Sequence, residues 1–247
     1  MGLALGMMAA AAIAKSPAPD AGEMVTLPMV LPDEQGIRWD IQHDGSIGDG
    51  GNDLYDGGGH LYLDGNTQWM SGGTASFSRE RNEVVLGPTS YRELNVSRRI
   101  AVNSKLGFCR WAEVFENSSG QKTSVRLRVH FDMGGGIQFI QPNIDEKRNK
   151  QTIGMAIGDG RHCVGVAGAG RGSRIVPRFE PQQGGDQFNM YYDLEIGPRQ
   201  TAVIVHAQIY RQQFNAAAAV LGEIKDKEYL AQLPADLQRK VVNFRVG

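Results

Sequence analysis

A chain of 247 residues, 41% hydrophobic and 21% charged, has the composition of a globular protein long enough to bury a sizeable core without a metal or disulfide staple. Its 26 basic and 27 acidic residues leave a net charge of −1, without the basic field that holds a nucleic acid, so that class of partner is excluded. The 32 glycines, about twice the average share of roughly 7%, fall between short apolar stretches, where tight turns need them.

The chain opens on an apolar run from Gly2 to Ala14, followed by Lys15 and a Pro/Ala-rich stretch. The run is too short to span a bilayer as a helix, so no transmembrane span is expected. It has the length of a signal-peptide core and ends in the small-residue pattern Ala12-Ile13-Ala14, although no basic residue precedes it. Residues 1–36 therefore read as a signal-like segment and a linker or extended arm, and the localisation expected is exported: periplasmic, cell-surface or secreted.

From Arg38 onwards the pattern is that of short strands. Leu94, Val96, Ile100 and Val102 share one face with Arg98, an inward cation that needs partners in the core. Phe108 to Glu116 is followed by Asn117-Ser118-Ser119-Gly120, a turn composition that predicts a hairpin with the next strand. That strand, Ser124 to Phe131, alternates Val125, Leu127, Val129 and Phe131 with Arg126, Arg128 and His130, the period of a sheet buried on one face. Further strands are expected at 152–157, 162–167, 174–180, 188–196 and 201–210, the last two joined by Gly197-Pro198-Arg199-Gln200. No helical pattern intervenes, which excludes a parallel α/β fold. After Tyr210 the spacing of Phe214, Ala218, Leu221 and Ile224 predicts one helix. That of Leu230, Leu233, Leu237, Val241 and Phe244 predicts a second, with Pro234 in its first turn.

The fold class expected is mainly β: an antiparallel two-sheet β-sandwich over residues 37–211, with a short C-terminal helical pair over 212–247 packed on the sandwich or on a neighbouring domain.

The segment from Asp44 to Gly59 carries the most suggestive chemistry. Asp44, Asp49, Asn52, Asp53 and Asp56 are spaced by glycines, the oxygen-rich flexible pattern that suits calcium. One copy is not a calcium-binding solenoid, and the spacing is not that of an EF-hand, so glycine turns flanking a strand are the competing reading. No other cofactor is implied. His43, His60, His130, His162 and His206 lack zinc-site spacing, and neither a GxSxG nor a phosphate loop occurs. Glu113, Asp193 and Glu195 are candidates for a carboxylate pair in glycoside hydrolysis. Trp39, Trp69, Trp111, Tyr55, Tyr62 and Tyr91 could offer sugar-stacking surfaces if exposed, or core if not. Cys109 and Cys163 could pair or serve as small core residues; a disulfide would imply an oxidising compartment.

Several phrases carry a resemblance in combination: Trp39-Asp40-Ile41, Asp44 to Ile47, Gly51 to Gly57, Val96-Ser97-Arg98-Arg99-Ile100, Cys109 to Asn117, and Tyr192 to Pro198. Over about residues 37–222 the chain resembles uncharacterised β-sandwich regions of large exported bacterial proteins. The resemblance implies an exported module and transfers no catalytic residue. Three functions follow as expectations. The first is a non-catalytic structural or interaction module of an exported bacterial protein, with protein or polysaccharide at the cell surface as partner. The second is a carbohydrate-binding or carbohydrate-processing sandwich, and the third a calcium-stabilised adhesion domain.

Overall fold

A computed structural model describes residues 22–51, 53–147, 150–159 and 161–245. The signal-like run at 2–14 lies outside the described residues. The described residues form sixteen strands and three helices, in order β1 (Glu23–Met24), β2 (Met29–Pro32), β3 (Arg38–Ile41), β4 (Tyr55–Leu63), β5 (Thr67–Gln68), β6 (Ala75–Ser78), β7 (Glu83–Tyr91) and β8 (Leu94–Asn103). The second half holds β9 (Phe108–Asn117), β10 (Thr123–Met133), β11 (Phe139–Asp145), β12 (Gln151–Gly158), β13 (Cys163–Ala167), β14 (Arg178–Pro181), β15 (Gln187–Ile196) and β16 (Thr201–Arg211). The helices α1 (Phe214–Glu223), α2 (Asp226–Leu230) and α3 (Ala235–Gln238) close the chain.

The strands form a nine-stranded sheet in the order β1-β6-β7-β8-β9-β16-β13-β12-β11 and a five-stranded sheet in the order β14-β15-β10-β4-β5, with β2 and β3 as a separate ribbon. Every ladder between these strands is antiparallel. This is the two-sheet sandwich with a short helical group that the alternation predicts. The stretch up to residue 36, read as a linker or arm, contributes β1 and β2 to these pairings.

The alternating residues explain the layers. Val96, Ile100, Trp111, Phe115, Leu127, Val129, Met190, Leu194 and Ile204 meet in the core between the sheets. The large sheet has a second apolar face: Phe108, Ala112, Val203, Val205, Ala207 and Ile209 pack under Leu221, Tyr229, Leu230, Leu233 and Phe244. Each large side chain so buried contributes about 1.5–3 kcal/mol of hydrophobic stabilisation. Among the described residues nothing covers the outer side of the small sheet in this way, and its residues there are polar and half-buried or exposed.

Several elements differ from expectation. The expected hairpin of β9 with β10 does not form, because β9 pairs with β8 and β16 while β10 pairs with β4 and β15. The turn at 117–120 instead carries the chain from one sheet to the other, and the Gly197–Gln200 turn does the same in reverse. Asn117 staples both corners: its amide Nδ2 donates to the carbonyls of Gln121 (2.7 Å), Ile196 (3.2 Å) and Gly197 (3.0 Å).

The second helix of the expected pair is two short ones, since Pro234 precedes α3 in an extended conformation (φ −53, ψ 141). Beyond α3 the chain leaves the helix altogether. β13 accompanies β16 only from Ala207 to Arg211, and residues 240–243 fill the open flank beside Val203 and Val205. Val203 N donates to Lys240 O and Val242 N to Val203 O. The buried Asn243 side chain exchanges hydrogen bonds with both backbone groups of Val205 (2.9 and 2.6 Å). The strand expected at 174–180 is shorter and later, at Arg178–Pro181. Cys109 and Cys163 are both buried and free.

Candidate functional site

Three polar assemblies organise the molecule, and two of them are internal. Between the sheets, Arg98 and Glu113 are direct cross-strand partners, both with 0% exposure. Arg98 Nε and Nη2 donate to the Glu113 carboxylate at 2.9–3.2 Å. Its other contacts are the carbonyls of Asp44 (2.7 Å) and Gly59 (2.8 Å), so the inward arginine is satisfied. His206 Nε2 lies 3.0 Å from Glu113 Oε1, and its ring stacks on Trp111 at 5.3 Å. Burial alone would raise the Glu113 carboxyl, but the Arg98 charge and the His206 hydrogen bond outweigh it and hold it low. Burial pushes the His206 imidazole down, so it is a neutral ring donating through Nε2.

On the other side of the large sheet, beneath the helices, Glu83 bridges Arg99 (2.5 Å) and Arg110 (2.9 Å).

The glycine-rich segment serves this internal wiring. The carbonyls of Asp44, Gly45 and Gly59 solvate Arg98 and the Trp111 indole, whose Nε1 donates to Gly45 O at 2.7 Å. Gly45 has φ +77, and a Cβ there would stand 2.9 Å from the Leu86 side chain, so only glycine brings that carbonyl so close. Of the calcium candidates, Asp44 is buried and its carboxylate already accepts from Ser46 N (3.0 Å), Ser46 Oγ (2.6 Å) and Gln68 Nε2 (3.0 Å). Asp49, Asp53 and Asp56 are exposed, and Asn52 lies outside the described residues. Among the described residues no group of three or more His, Cys, Asp or Glu is placed to hold a metal ion.

Of the carboxylates considered for hydrolysis, strand alternation turns Glu113 into the core, while Asp193 and Glu195 share the solvent face of β15. There they pair with Arg126 (2.7 Å) and Lys122 (2.9 Å). Trp39, Trp69, Trp111 and Tyr55 are core residues; Tyr62 and Tyr91 reach the surface half-buried.

The third assembly is open: the outer face of the five-stranded sheet. Register places Arg178, Tyr191, Arg128, Tyr62 and Gln68 as successive partners across β14, β15, β10, β4 and β5. Arg128 Cζ lies 4.1 Å over the Tyr62 ring and Arg178 Cζ 4.4 Å over that of Tyr191. Arg178 also pairs with Glu180. Arg128 forms no ion pair among the described residues, and its Nε is buried without a hydrogen-bond partner.

The adjoining row holds Asn189, His130 and His60 as successive partners. His60 Nδ1 lies 2.7 Å from Asp44 Oδ2, and His130 Nδ1 lies 3.0 Å from Asn189 Oδ1. A ring nitrogen facing an acceptor carries the proton, so Nδ1 is the donor of each pair. Burial raises the Asp44 carboxyl less than the hydrogen bond from His60, the Arg98 charge and Ser46 lower it, so it stays ionised behind His60. Next along β10, the Asp132 carboxyl is pushed up by burial and by Asp186 and Asp56, with His130 and His60 partly offsetting them. At the far end of the face a depression of about 550 Å³ is lined by Asp64, Ser124, Arg126, Asp193 and Glu195.

The sequence pattern announces this face through the outward residues Arg126, Arg128 and His130. It does not announce His60, Asn189, Tyr191 and Asp132 as their company, because the lateral order of strands cannot be read from alternation.

No family model matches the chain, and no curated protein matches it. Its fold is similar to solved structures at low identity. An Escherichia coli K12 protein provisionally described as an aldose 1-epimerase aligns at 8% identity and TM-score 0.48, over 74% of this chain and 98% of its own. A polysaccharide lyase aligns at 13% and 0.44, over 83% of this chain and 35% of its own. The Slr1438 protein of Synechocystis sp. PCC 6803 aligns at 10% and 0.42, over 79% of this chain and 98% of its own. This chain therefore spans about a third of the lyase. At such scores and identities the likeness carries no functional argument.

Proposed function

We propose that the outer face of the five-stranded sheet binds an acidic carbohydrate. The observation that carries this reading is the Arg–Tyr row with Arg128 at its centre. Arg128 is stacked on Tyr62, which pre-orders the guanidinium, and it has no carboxylate of its own among the described residues. A planar guanidinium in that state suits a bidentate carboxylate or sulfate. The arginines lie over the tyrosine rings, so the surface presents guanidinium edges more than bare aromatic faces, which favours a charged sugar over a neutral one.

The rest of the face consists of His, Asn, Gln and Asp side chains on regular strands, matched to hydroxyl groups and held rigidly. Of the exposed large apolar residues, Met24, Val30, Phe139 and Ile144 lie on other strands and Met70 follows β5 at the edge of the sheet, so the centre of the face lacks the apolar anchor typical of a protein interface. Asp132, Asp193 and Glu195 would repel a dense polyphosphate, whereas a sugar with spaced charges avoids them.

A processing role on the same face is favoured by one further observation: two imidazoles oriented through Nδ1 near a carboxyl that burial and neighbouring acids push above its ordinary value. That is an acid–base set of the kind proton transfer on a sugar requires. Without turnover, the same face makes a polysaccharide-binding module. An exported or cell-surface setting is part of this reading and rests on the apolar run at 2–14 and the resemblance over 37–222.

The test is calorimetric titration with an oligogalacturonate and with the matching neutral galacto-oligosaccharide. The acidic ligand is expected to bind, more weakly as salt rises, and Arg128→Ala to weaken it at least tenfold. No difference between the two ligands, or undiminished binding by the variant, overturns the proposal.

A further inference from the structure

On the opposite side of the molecule, the stretch from α1 to α2 spans the outer face of β12 and β13 and leaves a cavity of about 340 Å³. This is at the low end of the roughly 300–1,000 Å³ usual for small-molecule sites. Ile153, Ala167, Ala169, Leu221 and Phe244 supply the apolar part of its wall, and Asn143 a polar one. The rim carries Arg171 and Lys225 against Glu223 and Asp226, two charges of each sign, so it favours neither an anion nor a cation.

Tyr229 lines the same cavity at 3% exposure. Its ring is fixed between Phe108 (5.2 Å) and Phe244 (5.3 Å). Its hydroxyl is buried and has no hydrogen-bond partner. A buried O–H without an acceptor is costly, and native cores rarely leave one. Nothing in the packing of the helices requires it, since a phenylalanine would make the same ring contacts.

From this we infer a second binding site, for a neutral, mainly apolar small molecule of ring size that carries one hydrogen-bond acceptor, such as a carbonyl, taken by the Tyr229 hydroxyl. The site is independent of the carbohydrate face, and neither reading depends on the other.

Acetophenone and ethylbenzene, alike in size but with and without an acceptor, are suitable probes on the full chain. Two-dimensional amide NMR with acetophenone is expected to shift signals of Ala167, Leu221 and Tyr229 saturably. Ethylbenzene should bind about three- to tenfold more weakly, the worth of one hydrogen bond. Tyr229→Phe should bind the two probes equally while melting no lower than the parent, because it removes an unmet donor. Ile224→Trp, in the cavity lining, should block both.

Scattered or absent shifts at saturating acetophenone overturn the site. A variant Tyr229→Phe that still prefers acetophenone overturns the role of the hydroxyl. A lower melting temperature in that variant shows the hydroxyl already satisfied within the fold and overturns the inference as well.

Discussion

Arg98 and Glu113 stand directly opposite each other on β8 and β9 and close an ion pair through two guanidinium nitrogens, with no solvent exposure on either side chain. Because the pair is buried, losing one partner strands the other in the core. Arg98→Met is expected to cost about 3–5 kcal/mol in chemical denaturation, and the double variant Arg98→Met/Glu113→Leu to recover part of it. A loss under about 1 kcal/mol for the single variant would show that the core does not depend on this pair.

The same cluster makes stability depend on pH in two stages. Buried His206 lies below its ordinary 6.5 in the fold, so the unfolded chain takes up the proton first. Its contribution is complete above pH 6.5 and is lost as pH falls toward the folded value, at up to about 1.4 kcal/mol per pH unit. Glu113 and Asp44 lie below their ordinary 4.5 and 3.8. Their contribution is complete above those values and is lost as pH falls through the lower folded ones. Melting temperature should therefore decline from pH 6.5 to 5 and again below pH 4. His206→Gln, which keeps a donor toward Glu113, should flatten only the first decline. An equal slope in parent and variant between pH 6.5 and 5 would contradict this assignment.

Much of this architecture is legible in the sequence because alternation survives wherever one sheet face is buried. β8, β9, β10, β15 and β16 fall within three residues of the boundaries their apolar spacing predicts. What alternation cannot supply is which strand neighbours which. Asn117-Ser118-Ser119-Gly120 and Gly197-Pro198-Arg199-Gln200 are turn-forming by composition, and composition reports that the chain turns, not that the two arms pair. Val241 and Phe244 continue a helical spacing, yet the unpartnered flank of β16 takes the segment as an extended strap. The glycine-spaced acids between Asp44 and Asp56 suggest a cation loop because the sequence shows side-chain oxygens. In the fold, the backbone oxygens of that segment serve the Arg98 guanidinium and the Trp111 indole. The candidate site is half-legible for the same reason: Arg128 and His130 announce an outward polar strand, while Tyr62, His60, Tyr191 and Asn189 join them only through register.

The corner staple gives a third prediction. Asn117 is 1% exposed, and its amide serves three carbonyls from two different turns. Asn117→Ala should lower stability by about 1–3 kcal/mol, the cost of leaving buried acceptors unmet. Asn117→Asp should be worse at neutral pH than at pH 3, since a carboxylate facing those carbonyls repels them and a protonated one can donate again. If the aspartate variant matched the alanine variant at every pH, the amide donor would not be what holds the corners together.

Asp132 separates stability from function on the open face. Burial and the neighbouring Asp186 and Asp56 hold its carboxyl above its ordinary 3.8, so the fold disfavours the ionised form. The stability this provides is complete below pH 3.8 and is lost as pH rises through the folded value. Asp132→Asn should therefore melt higher than the parent at pH 7 and equal to it near pH 3. The substitution also removes a negative charge from the face that carries Arg128, so an oligogalacturonate should bind the variant more tightly at pH 7 in calorimetry. Any chemistry that uses this carboxyl as a proton donor should fall even as binding improves. A variant that binds the acidic sugar more weakly than the parent would place Asp132 in contact with sugar hydroxyls and reverse this assignment.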